Sequence, residues 1–401
     1  MKSILYIANS PQAYPASGGR TRIISVARLH QSLGYKTQIV SFVSLKLFFF
    51  NLSLLRRARK ALAEEANSKV IYLPSIPTFG STLLLKFRDW VSWMFIRNTG
   101  ENFSILHGHG LQAAHIALRS SFKLQKKPVV VADIHGASPE EAMFAKSISK
   151  KHSLIEALNK KEKEVYNEVD LCIFVSRRMV DHIEKKFGQS PKNHIVIPCA
   201  TESPSYLDSV DDIKKDLGIT DQCTFAYLGS YRKYQMAKET IQLFKSITNK
   251  ITNCKLVIFT SHISQFREEL NRQGIPASSF TIKTLERADV PRYLQAVDIG
   301  LMLRSDETLN KVASPTKFAE YLIAGVPVIT TPYVGDYSDL VKTEGIGYIT
   351  NSYSCTPDLE LFINEVKRNR QKYKEKCIQV SSQQLTWSSL KDIYQEALSA
   401  I

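Results

Sequence analysis

Lys317 and Glu320 stand three residues apart behind Ser314, Pro315 and Thr316 in the stretch VASPTKFAEYLIAGVPVI. Ser314 suits a helix N-cap and Pro315 the first helical position, while Phe318, Tyr321 and Leu322 recur at helical spacing until Gly325. A helix start presents unpaired N–H groups and a positive dipole end, so with Lys317 beside it this place attracts an anion, most often a phosphate. An ionised Glu320 only accepts hydrogen bonds, which suits a pair of hydroxyls. Phosphate next to a diol describes a nucleotide. The same residues would also make an ordinary capped helix with a solvated Lys and Glu.

Three further loops carry related chemistry. In SPQAYPASGGRTR, Gly18 and Gly19 would let backbone approach a ligand closely before a helix that begins near Arg20. In ADIHGASPEE, His135 follows an apolar run and can donate a hydrogen bond to a sugar hydroxyl or carry a proton. In YLGSYRKYQMAKET, Gly229 opens a loop bearing Arg232 and Lys233, again suited to phosphate. Taken alone, these loops are more often plain turns with surface basic residues, and a histidine such as His135 is more often packed or solvent-facing. His107 and His109, in LHGHGLQ, have the spacing of metal ligands without an evident third, and read as structural or sugar-facing.

The elements that must position these loops alternate. Strand-like runs fall at 3–8, 37–43, 69–73, 104–107, 128–132, 171–175 and 194–197, and again at 224–228, 254–259, 279–282, 298–303, 327–330 and 346–349, with helical patterns between. Such alternation predicts parallel, doubly wound α/β sheets. Two runs predict two Rossmann-like domains, 1–200 and 201–385, with a final amphipathic helix over 386–401 crossing back to the first. The loops lie at strand ends, where doubly wound sheets bind ligands, and two such domains would face each other across a cleft.

Composition narrows the class. The 401 residues, 44% hydrophobic, can bury two cores. Six scattered cysteines form no CxxC pair and suit a reducing compartment. The N-terminal MKSILYIANS reads as a first strand, not a leader, and no eighteen-residue apolar span is present. The net charge of +15 is one-sided: residues 1–200 hold 29 Lys and Arg against 14 Asp and Glu, whereas 201–401 hold 24 of each. A polyanion should therefore meet the first half. LKLFFFNLSLLRRARKAL (45–62) and LLLKFRDWVSWMFIRN (83–98) interleave aromatics and leucines with Arg and Lys, which favours an anionic membrane surface over nucleic acid. Both could instead be core helices with basic edges.

The segment LMLRSDETLNKVASPTKFAEYLIAGVPVI, together with SGGRTRIISVARLHQSLGY, DIHGASPEE and YLGSYRKYQ, resembles glycosyltransferase family 4, the retaining group with the GT-B fold, and within it the subset with VASPTKFxEYLxxGxPVI. The resemblance spans nearly the whole chain. It implies that Glu320 holds the nucleotide ribose and that Ser314, Pro315, Thr316 and Lys317 sit by the diphosphate. Gly18 and Gly19 match the family's donor-phosphate loop, and His135 matches the histidine facing the transferred sugar.

Two departures stand out. Val312 occupies the position of the usual glutamate eight residues before Glu320, leaving Asn310 or backbone groups to make that contact. The Arg and Lys of the family's GR…KG loop fall on Ser230 and Gln235, so Arg232 and Lys233 are the expected substitutes. The resemblance implies front-face attack in which the leaving diphosphate accepts the acceptor's proton. Arg232, Lys233, Lys317 and the helix start would then stabilise its charge. No metal and no cofactor beyond the nucleotide-sugar co-substrate is expected, since no convincing DxD is present. The acceptor is expected to be a glycan, plausibly lipid-linked, in cell-surface polysaccharide assembly, with the enzyme cytoplasmic and peripheral on the inner face of the membrane. A sugar-nucleotide epimerase or phosphorylase on the same fold is the alternative; a nucleic-acid-binding protein or an inactive scaffold fits less of the sequence.

Overall fold

A computed structural model of the chain describes residues 2–9, 18–75, 82–97, 103–202 and 210–401. Residues 10–17, most of the first glycine loop, lie outside the described residues, so only the helix that follows them, Gly18–Ser32, is placed. The chain forms two compact units, Met1–Pro198 with Leu390–Ile401, and Cys199–Ser389.

The first unit is built on seven parallel strands: β1 (Ser3–Asn9), β2 (Lys36–Ser44), β3 (Lys69–Ser75), β4 (Ile105–His109), β5 (Val129–Ile134), β6 (Leu171–Phe174) and β7 (His194–Val196). Their order is 3-2-1-4-5-6-7, so the winding reverses between β1 and β4. Ile4 to Ala8 of β1 are fully buried, as a central strand covered on both faces requires. The last helix, Lys391–Ser399, belongs to this unit through Tyr394, whose ring meets His30 edge-on at 4.9 Å. Residues 386–389 belong instead to the second unit, where Thr386 bridges Thr201 in parallel and the Trp387 N–H donates to the Thr201 carbonyl at 3.2 Å.

The second unit carries six parallel strands: β8 (Cys223–Leu228), β9 (Cys254–Phe259), β10 (Phe280–Lys283), β11 (Ile299–Met302), β12 (Val328–Thr330) and β13 (Gly347–Ile349), in the order 10-9-8-11-12-13. Among the described residues these strands coincide with the apolar runs in the sequence to within two residues at each end. Side chains alternate across this sheet. Phe225, Tyr227, Leu256 and Ile258 join one apolar layer, with Phe244 and Ile363. Ala226, Val257 and Phe259 join the other, with Phe318, Tyr321 and Leu322. The helix Thr316–Ile323 is thereby fixed by its apolar face, and its polar residues are left at the carboxyl end of the sheet. Gly325, at φ +79°, ends it in the left-handed region that glycine adopts without strain. Among the described residues no helix is long and apolar enough to cross a membrane.

Candidate active site

In the second unit the winding reverses between β8 and β11, and the loops past their carboxyl ends form one polar cluster. Gly229 follows β8. A Cβ at this position would press on Gln235 Oε1 and Lys317 Nζ, so glycine leaves room for these two side-chain ends to meet above the strand. Lys317 donates to Gln235 Oε1 at 3.0 Å, and the same oxygen accepts from the Ser230 N–H at 3.1 Å and the Tyr227 hydroxyl at 3.3 Å. Burial, then the neighbouring Arg304 guanidinium, push the Lys317 ammonium down to about 7. Glu320, one turn on, is raised by burial despite Arg287, whose Nη2 lies 3.7 Å from its Oε1, and despite Lys317.

Ser314 corrects the local reading. It does not cap the helix; Pro315 is the N-cap residue and no side chain caps the first turn. Ser314 Oγ instead accepts from the Cys199 N–H at 2.8 Å and pairs with the Tyr337 hydroxyl at 2.7 Å, while that hydroxyl also reaches the Cys199 carbonyl. Ser314 thus anchors the loop to Cys199 and to buried Tyr337, and no side chain occupies the helix start at Thr316. Arg232 and Lys233, at the head of a short 3-10 turn, are exposed. Val312 is buried at 2% exposure, and Asn310 spends its amide N–H groups on Ser305 and Tyr234.

In the first unit His135 stands one residue past β5, beside Gly110, which follows β4. It is held in a buried cluster. Arg22, from the helix Gly18–Ser32, forks onto Asp133 with Nε at 2.9 Å and Nη2 at 2.8 Å, and its remaining donors reach the Ile197 and Pro198 carbonyls. Asp133 also faces His109 Nδ1 at 3.3 Å, and the His109 ring lies 6.0 Å from that of His135. Burial works to raise the Asp133 carboxyl, but Arg22 and His109 hold it well below the usual range. His107 and His109 are driven down to about 3 by burial, and His135 is lowered for the same reason. These rings are therefore neutral acceptors and donors at neutral pH. Asp133 is the third group that the spacing of His107 and His109 alone did not disclose: ligand atoms of the three lie within 4.8 Å of one another. Both Asp133 oxygens already face Arg22.

Two doubly wound sheets, each with basic and hydroxyl-seeking groups at its carboxyl end, limit the possibilities, and family comparison decides between them. Residues 16–202 match the model of Glycosyltransferase Family 4, and residues 209–383 match that of Glycosyl transferases group 1. The chain belongs to these glycosyltransferases. No curated protein sequence matches the glycosyltransferase. Among solved structures, HepE of Anabaena, crystallised with UDP and with UDP-glucose, aligns over 100% of both chains at a TM-score of 0.71, with 14% and 13% identity respectively. Sucrose-phosphate synthase of Thermosynechococcus elongatus aligns over 100% of both chains at 0.72 and 13% identity. WaaG, a glycosyltransferase involved in lipopolysaccharide biosynthesis, aligns over 98% of this chain and 99% of its own at 0.67 and 13%. At such identities the likeness establishes the GT-B fold alone.

Within the glycosyltransferase, the structure gathers Gly229, Gln235, Lys317 and Glu320 in one unit and leaves Arg232 and Lys233 at the solvent edge. Three residues that the sequence reading left without roles belong to the clusters: Arg22, Gln235 and Arg304. Gln235 had a signal, since the family resemblance put a lysine there. Arg22 and Arg304 had none beyond their charge.

Proposed function

We propose that this glycosyltransferase moves a sugar, with retention, from a nucleotide-sugar donor to a lipid-linked glycan acceptor in cell-surface polysaccharide assembly. The observation that carries the donor half is the single turn bearing Lys317 and Glu320 over the carboxyl end of the second sheet. The uncapped helix start and Lys317 suit a diphosphate, and Glu320 suits the ribose hydroxyls. His135, one residue past β5, suits the transferred sugar, and Gly18 and Gly19, at the start of the helix after β1, suit the donor phosphates. Retention then asks for no protein nucleophile: the diphosphate leaves, takes the acceptor's proton, and fixed cations hold its charge. Because side chains supply that positive charge, activity should survive a chelator.

The acceptor half rests on the surface of the first unit. In the helix Thr82–Arg97, Leu83, Phe87, Trp90 and Met94 recur at helical spacing and are all exposed, Leu83 at 74%. The helix Leu52–Ala66 exposes Arg56, Arg57, Arg59 and Lys60. An apolar stripe with basic neighbours suits the headgroup region of an anionic bilayer, placing the enzyme at the inner face of a membrane.

Calorimetric titration of wild type and Glu320→Ala with UDP, GDP, ADP and TDP tests the donor site. One nucleotide should bind saturably, with Kd about tenfold or more higher in the variant, the scale of a lost charged hydrogen bond. Binding unaffected by the substitution would remove Glu320 from the site, and no binding by any nucleotide would overturn the donor reading.

A further inference from the structure

Past β11 lies a buried guanidinium, that of Arg304. Arg304 is 6% exposed. Its backbone is pinned on both sides by Thr331: the Arg304 N–H donates to Thr331 Oγ1 at 2.9 Å, and that hydroxyl donates to the Arg304 carbonyl at 2.7 Å. Of its side-chain donors, Nη1 reaches the Leu303 carbonyl at 3.0 Å, and Cζ lies 6.0 Å from the Tyr234 ring. Among the described residues no carboxylate lies within ion-pairing distance of Arg304 or of Lys317. Burying a guanidinium without a partner is costly, and placing it where it repels a second cation adds to the cost.

The fixed backbone and the glutamine carbonyl hold both cations in place. Arg304 follows β11 and Gly229 follows β8, the two strands between which the winding reverses. Gln235 Oε1 accepts from Lys317 Nζ, and both atoms lie over Gly229 in the space that a side chain there would enter. Two neighbouring cations, one of them held by a neutral acceptor, call for an anion carrying at least two negative charges. Exposed Arg232 and Lys233 are screened by water and do not meet that need.

We propose that Arg304 and Lys317 together form the clamp for the leaving diphosphate, that Gln235 positions Lys317, and that Arg232 and Lys233 act only at its rim. This rests on the donor reading above for the identity of the anion, but the clamp itself can be tested without a nucleoside. Wild type, Arg304→Gln and Lys317→Gln are titrated with inorganic pyrophosphate, and with UMP and UDP or the corresponding pair for whichever base binds.

The clamp requires pyrophosphate binding to fall at least tenfold in each variant, and the diphosphate to lose at least tenfold more than the monophosphate. Lys317→Gln relieves a buried repulsion and should fold even where Arg304→Gln does not. Unchanged pyrophosphate affinity in a folded variant overturns the clamp, as does a larger loss in Arg232→Gln than in Arg304→Gln. If pyrophosphate binds and depends on Arg304 while no nucleotide binds, the clamp stands and the donor reading fails. If nucleotides bind and depend on Glu320 but not on Arg304, the donor reading stands and the clamp fails.

Discussion

Arg22 and Asp133, 111 residues apart in the chain, meet as a forked ion pair in which the side chains are 2% and 0% exposed. The pair joins the helix after β1 to the end of β5, and Arg22 also ties down the carbonyls of Ile197 and Pro198. It is the support on which His109, and beyond it His135, is seated.

Breaking this pair from one side should be severe. Arg22→Met leaves the Asp133 carboxylate buried and unpaired, and should cost about 3–5 kcal/mol of stability. The double variant Arg22→Met/Asp133→Leu should recover a large part of that loss, because neither charge is then left uncompensated. Urea unfolding of the wild type, both single variants and the double variant measures the coupling. Additive losses would show that the fork carries no buried charge penalty.

Acid should loosen the first unit before the pair itself is lost. His107 and His109 have folded pKa values of about 3, far below the unfolded value of about 6.5. Between these limits the unfolded chain binds more protons, so stability rises with pH and is lost as pH falls below about 6.5. Each ring contributes a slope of up to about 1.4 kcal/mol per pH unit. Asp133 adds its own loss only at lower pH, beginning as the medium falls below the unfolded carboxyl value of about 3.9 and continuing toward its depressed folded pKa. His107→Gln should flatten the curve of urea midpoint against pH over about two pH units below about 6.5. A wild-type midpoint already level over that range would contradict the neutral, buried rings.

Nucleotide binding should take up a proton. The Lys317 ammonium, at about 7 in the empty site, lies below the reference of about 10.4 because of burial and of Arg304, with Glu320 opposing and Arg232 adding repulsion. A diphosphate favours the protonated form, so affinity is full below about pH 7 and falls above it, by at most about tenfold per pH unit. Titrations at alkaline pH in two buffers of different ionisation enthalpy give the proton count directly. Uptake near one proton is expected in the wild type and none in Lys317→Gln; no uptake in the wild type would mean that Lys317 stays charged in the empty site.

Membrane attachment should need both the stripe and the charge. The protein should co-sediment with phosphatidylglycerol vesicles and be released near 1 M salt, where the Debye length is about 3 Å. Replacing Arg56, Arg57, Arg59 and Lys60 by alanine should lower partitioning on the order of a hundredfold or more, at about 1 kcal/mol for each basic residue. Leu83→Ser with Trp90→Ser should abolish what remains. Concentration-dependent self-association with no vesicle binding would assign the exposed stripe to a second copy of the chain instead.

The sequence by itself determined what depends on local order. The central strands appear as apolar runs because a strand covered on both faces must be apolar along its length, and Phe318, Tyr321 and Leu322 announce their helix because burial of one face imposes a period of 3.6. The placing of Lys317 and Glu320 on one turn follows from the same period, as does that of His135 past a strand end. Tertiary structure decided which charges are paired. Arg22 finds Asp133 only because β1 lies beside β4 and β4 beside β5, and Lys317 finds Gln235, 82 residues earlier, only because β11 lies beside β8. Ser314 has the composition of a cap, yet Cys199 and Tyr337 draw it inward. Arg304 and Arg232 are alike as letters. Burial separates them, since a guanidinium removed from water without a carboxylate must be answered by a ligand, and one left in water need not be.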